Sequence, residues 1–218
     1  MSKLNHPIVA QSFAIIDREV GAHNLSPQEY AIARRVIHAT ADFEYLKLLQ
    51  FSPNAIAKGI ESLRQGVPIV TDVNMVKQGI VNLVGKTFNN PIISAIDRAT
   101  TAEPGKTRTE TGMLRCYSEY PQGIYLIGNA PTALLALCQQ LSTAPVKPAL
   151  VIGVPVGFVS VVESKQALLE SNVSYIAIAD RKGGSPAAAS ILNALLILAT
   201  DEDEILDPRL QKNTEKPR

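Results

Sequence analysis

"GIYLIGNAPTALLAL", residues 123–137, runs from a short apolar stretch through a Gly-Asn turn into a segment opened by Pro131. Six residues rich in Ile, Leu and Tyr are too few for a buried helix and suit a strand, whereas proline near the start of the next segment suits the first turn of a helix. A strand feeding a helix through a tight turn is the repeating unit of a parallel sheet. The pattern recurs after "VPIVTD" (67–72), "IISAID" (92–97), "ALVIGV" (149–154) and "SYIAIA" (174–179). These runs are apolar almost throughout rather than alternating, as strands are when helices cover both faces of the sheet. The sequence therefore predicts an α/β protein, a three-layer α/β/α sandwich around a five-stranded parallel sheet.

Two helices are expected ahead of that sheet. "SPQE" (26–29) places Ser26 as N-cap, Pro27 at the first helical position and Glu29 as the return half of a capping box, starting a helix that runs to about Thr40. "FSPNAIAKGIESLRQG" (51–66) repeats the logic, with Ser52 as cap, Pro53 at the first position and Gly66 as the stop. Residues 1–200 read as a single domain, and "DEDEILDPRLQKNTEKPR" (201–218) as a polar C-terminal tail.

Composition narrows the function classes. The 218 residues are 46% hydrophobic, enough for one sizeable core, and 21 basic against 20 acidic residues leave a formal net charge of +1. No global field favours nucleic acid or an anionic membrane surface, so an anionic partner must be met locally. Cys116 and Cys138 form no CxxC or mixed Cys/His cluster, which argues against a disulfide scaffold or a zinc site and for a reducing, cytoplasmic setting. "MSKLNHPIVAQSF" lacks the apolar core of a signal peptide, and "AAASILNALLILA" (187–199) is broken by Asn193 and too short to span a bilayer. A soluble protein without membrane, nucleic-acid or metal partners is expected.

Open parallel sheets bind ligands beyond the carboxyl ends of their strands, so the turns there carry the functional signal. In "GNAPTALLAL" (128–137), Gly128 and Asn129 end a strand just before a helix whose free N–H groups suit an anion, although the same pattern makes an ordinary strand-to-helix turn. "DRKGGSPAAA" (180–189) is richer. Arg181 and Lys182 supply charge, Gly183 and Gly184 permit close backbone approach, and Ser185 caps the next helix. Neither segment matches GxGxxG or GxxxxGK[ST], so a dinucleotide or nucleoside triphosphate has no motif behind it. "GKTRTETG" (105–112) lacks the upstream glycine of a phosphate loop; its Arg108 reads as a carboxylate or phosphate clamp, or as a solvated charge. Asp72 and Asp97 close strands and read as caps of the following helices rather than as metal ligands. His6 and His23 lie in polar or turn-like surroundings with no paired partner in view.

"RRVIHAT" (34–40) is different. Arg34 and Arg35 lie four and three residues before His38, on its helical face, and disfavour the imidazolium, while the helix C-terminus favours it. Opposed influences leave the ring near neutrality, suited to proton transfer; a half-buried helix-end histidine fits the same segment.

Taken in order, "HPIVAQSFAIIDRE", "ARRVIHATADFEY", "GVPIVTDVNMVKQGI", "GKTRTETGM", "YLIGNAPTALLAL", "PALVIGVPVGFVSVVESK" and "DRKGGSPAAASILNALL" resemble the precorrin-8X methylmutase family of cobalamin biosynthesis, over residues 6 to about 200. Thr109 stands where that family more usually has Ser, and "HATADFEY" lacks a glycine often found there. The resemblance implies a flavodoxin-like fold, a homodimer and migration of a methyl group from C-11 to C-12 of a contracted tetrapyrrole, with no cofactor and a tightly held corrinoid product. It places the proton donor or acceptor on His38 and substrate contacts on Ser12 and Arg35. A macrocycle rimmed by carboxylates needs scattered cations and N–H donors around an apolar floor. Thr107, Arg108, Asn129, Arg181, Gly183, Gly184 and Ser185 are the expected rim contacts, and "GVPVGFV" (153–159) the floor. A non-catalytic corrinoid carrier is the alternative.

Overall fold

The computed structural model describes residues 7–200 of the chain; His6 and the polar tail 201–218 lie outside the described residues. Strands β2 (Ile69–Thr71), β3 (Ile92–Ser94), β4 (Ile124–Ile127), β5 (Leu150–Gly153) and β6 (Tyr175–Ile178) occupy the five segments read as strands and pair in parallel. The second of them, β3, is shorter than expected: the chain turns into a 3-10 helix at Ala95–Arg98, so Asp97 does not close a strand.

The sheet has six strands, not five, and it is mixed. Leu49–Phe51 forms β1, antiparallel to β6 at one edge, in the order β1-β6-β5-β4-β2-β3. The five parallel strands, counted among themselves, follow the order 2-1-3-4-5 of flavodoxin-like sheets. β1 falls between the two helices expected ahead of the sheet. The first, α2 (Pro27–Thr40), has the capping box of Ser26 and Glu29 and ends at Thr40 as read. The second, α4 (Ala55–Arg64), starts later than its Ser-Pro signal: Ser52 Oγ accepts the N–H of Tyr175 on β6, and Asn54 precedes the helix in the left-handed region. The serine thus fastens β1 to β6 instead of capping. Gly66, with φ +72°, ends the α4 segment as expected.

Side-chain parity along the strands divides the core. Ile69, Ile124, Leu126, Leu150, Ile152, Ile176 and Ile178 face α4, α5 (Asn74–Lys86) and α9 (Ser185–Ala199), and α1 (Pro7–Val20) and α2 join the same core. Val70, Tyr125, Ile127, Val151 and Ala177 face α6 (Arg108–Glu119), α7 (Pro131–Thr143) and α8 (Val161–Leu169). Three layers follow from the period of two. α9 is buried along nearly its whole length, which explains its almost unbroken apolar sequence: it lies between the sheet and α2. Among the described residues no helix is long and apolar enough to cross a membrane. Cys116 and Cys138 are buried free thiols on α6 and α7.

A glycine sets how closely α6 approaches the sheet end. A Cβ on Gly112 would lie 1.8 Å from the carbonyl oxygen of Ala95, a backbone atom that cannot step aside. Gly112→Ala should therefore destabilise the fold by about 1–3 kcal/mol or more in urea unfolding. Gly85→Ala, on the exposed side of α5 with nothing within 4 Å of the new Cβ, should be neutral or stabilise by up to about 1 kcal/mol.

Candidate active site

The carboxyl edge of the sheet gathers the predicted residues from three directions. The first is the switch point between β2 and β4, where the chain leaves the sheet on opposite sides. Asp72, fully buried at the end of β2, accepts the N–H of Val73 with one oxygen (2.9 Å) and those of Asn129 (2.6 Å) and Ala130 (2.9 Å) with the other. Burial raises its pKa and the surrounding backbone N–H groups oppose that rise. Neither Asp72 nor Asp97 caps a helix; Asp97 accepts a hydrogen bond from the Asn74 side chain at 3.0 Å. The N–H groups of Asn129 and Ala130, in the turn just before the helix, are thus taken by a carboxylate of the protein itself. What the turn offers outward is the exposed Asn129 side chain. Gly128 lets this turn meet the start of α9, since a Cβ there would come within 3.0 Å of Ser185 Cα.

The second direction is the turn from β6 to α9. Ser185 is the first residue of α9 and is buried, so the cap position falls to Gly184, φ +111°. Gly183, φ +151°, is demanded by close approach: a Cβ would stand 2.2 Å from the Val154 carbonyl oxygen. Lys182 is not a free rim cation. Its Nζ pairs with Asp42 at 2.5 Å and Glu44 at 2.7 Å, which raise its pKa. Arg181 is exposed, with its guanidinium 5.5 Å from the centre of the Phe158 ring. Phe158, Val159 and Val156 project from the β5–α8 loop with 83%, 81% and 45% of their surface exposed, an apolar patch of the kind that marks a binding face. Across the switch point, Thr107 caps α6 in a box with Glu110 and its hydroxyl lies 3.0 Å from that of Thr132 on α7, with Arg108 exposed beside it. The same T-x-x-E spacing in "TRTE" was available in the sequence.

The third direction is the end of α2. β1 enters the sheet opposite the last residue of β6, Leu49 against Ile178, so the α2 C-terminus lies at the carboxyl edge. Three contacts tie the connection after it to the β6–α9 turn: Tyr45 donates to the Gly183 carbonyl at 3.2 Å, and Asp42 and Glu44 both pair with Lys182. His38 is exposed at the end of α2, and its Nδ1 is 2.7 Å from Ser12 Oγ on α1, a hydrogen bond whose direction follows the imidazole tautomer. Among the described residues Nε2 has no hydrogen-bond partner. The ring meets Phe13 edge-on, centroids 5.5 Å apart.

Arg34 and Arg35 separate in role. Arg34 does not face solvent: it is buried, ion-paired with Asp17 at 2.9 Å and 4.5 Å from the centre of the Phe13 ring, while Tyr30 donates to the same carboxylate at 2.6 Å. This cluster pins α1 to α2 and thereby holds Ser12 against His38. Sequence reading missed Phe13, Asp17 and Tyr30, although Phe13–Asp17 and Tyr30–Arg34 share the four-residue spacing of one helical face. His23, read as unpartnered, stacks on Tyr30 with centroids 4.1 Å apart.

Partial burial, and after it the charge of Arg35, lowers the His38 pKa below that of a free imidazole. With Arg34 matched by Asp17, only one of the two arginines acts on the ring. The imidazole is thus biased toward its neutral form. A group that protonates less readily folded than unfolded makes stability rise with pH between its folded value and the ordinary histidine value of about 6.5. In an NMR titration the His38 ring should show a midpoint below about 6.5, and Arg35→Gln should move it upward. Among the described residues no group of three His, Cys, Asp or Glu side chains is placed to hold a metal.

Comparison with known proteins identifies the family. The family model for precorrin-8X methylmutase matches residues 7–198. A cobalt-precorrin-8 methylmutase from Synechocystis sp. is 61% identical, covering 93% of this chain and all of the relative. A precorrin-8X methylmutase from Sinorhizobium sp. is 37% identical over 86% of this chain and 92% of its own. The crystal structure of a precorrin-8X methylmutase from Thermus thermophilus superposes with a TM-score of 0.82 at 39% identity, covering 90% of this chain and 98% of that one. A serine-held, neutral-biased histidine at the carboxyl edge of the sheet is thus set in a chain that belongs to the precorrin-8X methylmutase family, isomerases of cobalamin biosynthesis.

Proposed function

We propose that the chain moves a methyl group from C-11 to C-12 of precorrin-8X or its cobalt form, giving hydrogenobyrinate or cobyrinate. The observation that supports it most is the Ser12–His38 pair beside Arg35, with Nε2 of a neutral-biased ring unpartnered among the described residues. His38 donates a proton to, or accepts one from, a ring nitrogen of the macrocycle and so holds the tautomer that permits the shift. The bond from the methyl carbon to C-11 breaks as the bond to C-12 forms, and the conjugated system redistributes its electrons. No net oxidation occurs and no nucleophile is consumed. The enzyme's contribution is then the correct tautomer and a fixed ring geometry, realised in the transition state.

Ser12 sets the imidazole, and Arg35 meets a carboxylate of the rim. Thr107, Arg108, Asn129, Arg181 and the Gly183–Gly184–Ser185 turn meet the others, with Val156, Phe158 and Val159 against the flat face. Many weak rim contacts around one apolar face favour a tightly held corrinoid product. The working unit is residues 1–200 as one domain with a polar tail, acting as a homodimer in the cytoplasm without a cofactor. Cobalt, where present, belongs to the substrate. The name carried by the Synechocystis relative favours the cobalt form for this chain.

His38→Ala should fold and bind corrinoid while its turnover falls by roughly 10²–10⁴-fold, the usual worth of a positioned acid or base; turnover at the wild-type rate would remove His38 from the mechanism. The carrier alternative is separated by absorbance under single-turnover conditions. Isomerisation changes the conjugated system, whereas binding alone leaves the substrate spectrum largely in place. Offered metal-free and cobalt-bound substrates side by side, the enzyme should show the higher kcat/KM with the cobalt form.

A further inference from the structure

Lys165, in the "ESK" stretch of α8, takes no part in the contacts above and is nevertheless almost fully buried. Its Nζ donates to the carbonyl of Asp180 at 2.7 Å and to that of Lys182 at 2.6 Å. These two carbonyls flank Arg181. The carbonyl of Arg181 itself accepts the N–H of Gly157 in the β5–α8 loop at 3.3 Å. All three consecutive carbonyls of the turn are thus held from within the protein, two of them by one side chain.

The turn needs such a clamp. Asp180 sits at φ +57°, a left-handed conformation that a residue with a Cβ adopts only at some cost, and Gly183 follows at φ +151°. A turn bent twice in this way aims two carbonyls inward, where an unpaired buried acceptor is costly. An ammonium on a four-carbon stem reaches both at once, with its methylenes crossing apolar ground. Burial pushes the Lys165 ammonium down to about 8 against the pull of Asp180, so keeping it charged there costs stability. Buried ionisable groups retained at such a cost cluster at functional sites.

We propose that Lys165 is a positioning residue for the active site, fixing the backbone on either side of Arg181 and so setting where that guanidinium stands beside Phe158. The proposal rests on the reading of Arg181 as a substrate contact. Lys165 touches no substrate. It acts through Arg181 and predicts an effect on corrin binding rather than on the methyl shift.

A double-mutant cycle in the full chain tests it, with binding of hydrogenobyrinate followed by absorbance titration and turnover measured alongside. Lys165→Met and Arg181→Gln should each raise Kd and KM about tenfold while kcat at saturation stays within about threefold. The double variant should bind no more than about twofold more weakly than the weaker single variant, because residues acting as one unit are not additive. Independent, multiplying losses would overturn the proposal, as would normal Kd and KM in Lys165→Met beside a weakened Arg181→Gln. Normal binding by Arg181→Gln would overturn both the proposal and the reading of Arg181 on which it rests. If Lys165→Met shows no cooperative thermal transition, Lys165→Gln takes its place in the same cycle, and the same outcomes decide.

Discussion

The carboxylate of Asp72 is the constraint on which the carboxyl edge of this sheet depends. It lies where β2 and β4 diverge, and it accepts three backbone N–H groups from two different turns. Removing those acceptors would leave several buried donors unpaired at the place where the sheet must open toward a ligand. The bond to Asn129 and Ala130 sets the path of the β4–α7 turn, and Gly128 then allows that turn to rest on the first residue of α9. Through α9 the constraint reaches Gly183 and Gly184, and through them the β5–α8 loop and the connection after α2. A single buried acid thus ties together turns from distant parts of the chain.

The same design recurs at two other points, where a buried charge serves as a backbone or helix clamp and leaves a second polar group exposed. Asp17 takes the Arg34 guanidinium and the Tyr30 hydroxyl, which fixes α1 on α2 and leaves Arg35 and His38 toward the site. Lys165 takes two carbonyls of the β6–α9 turn and leaves Arg181 outside. In both places an ionic group is matched inside the protein by partners from a different element.

Much of the architecture was legible in order along the chain. Five parallel strands declared themselves as short, continuous apolar runs followed by Gly, Pro or Asp, because a strand covered on both faces cannot alternate. α2 declared itself through its capping box. β1 did not, because "LQF" is three residues long, follows a helical turn without a break, and is a strand only by pairing with β6, well over a hundred residues later. Ser52 misled for the same reason: the cap signal of "SPN" is real locally, but the Tyr175 N–H arrives from β6 and takes the hydroxyl.

The sequence by itself determined the fold class, the positions of the five parallel strands, the family resemblance and the identity of the exposed polar residues that gather at the carboxyl edge. These depend on local pattern and on chemistry carried by neighbours in the chain. Only the tertiary structure decided which of them are available to a ligand. It gave Asp72 to the Asn129 turn, Lys182 to Asp42 and Glu44, and Arg34 to Asp17, and it set Ser12 beside His38. Whether a polar group serves the fold or the substrate depends on the partner that meets it when distant segments pack, and that partner is not written in the residues beside it.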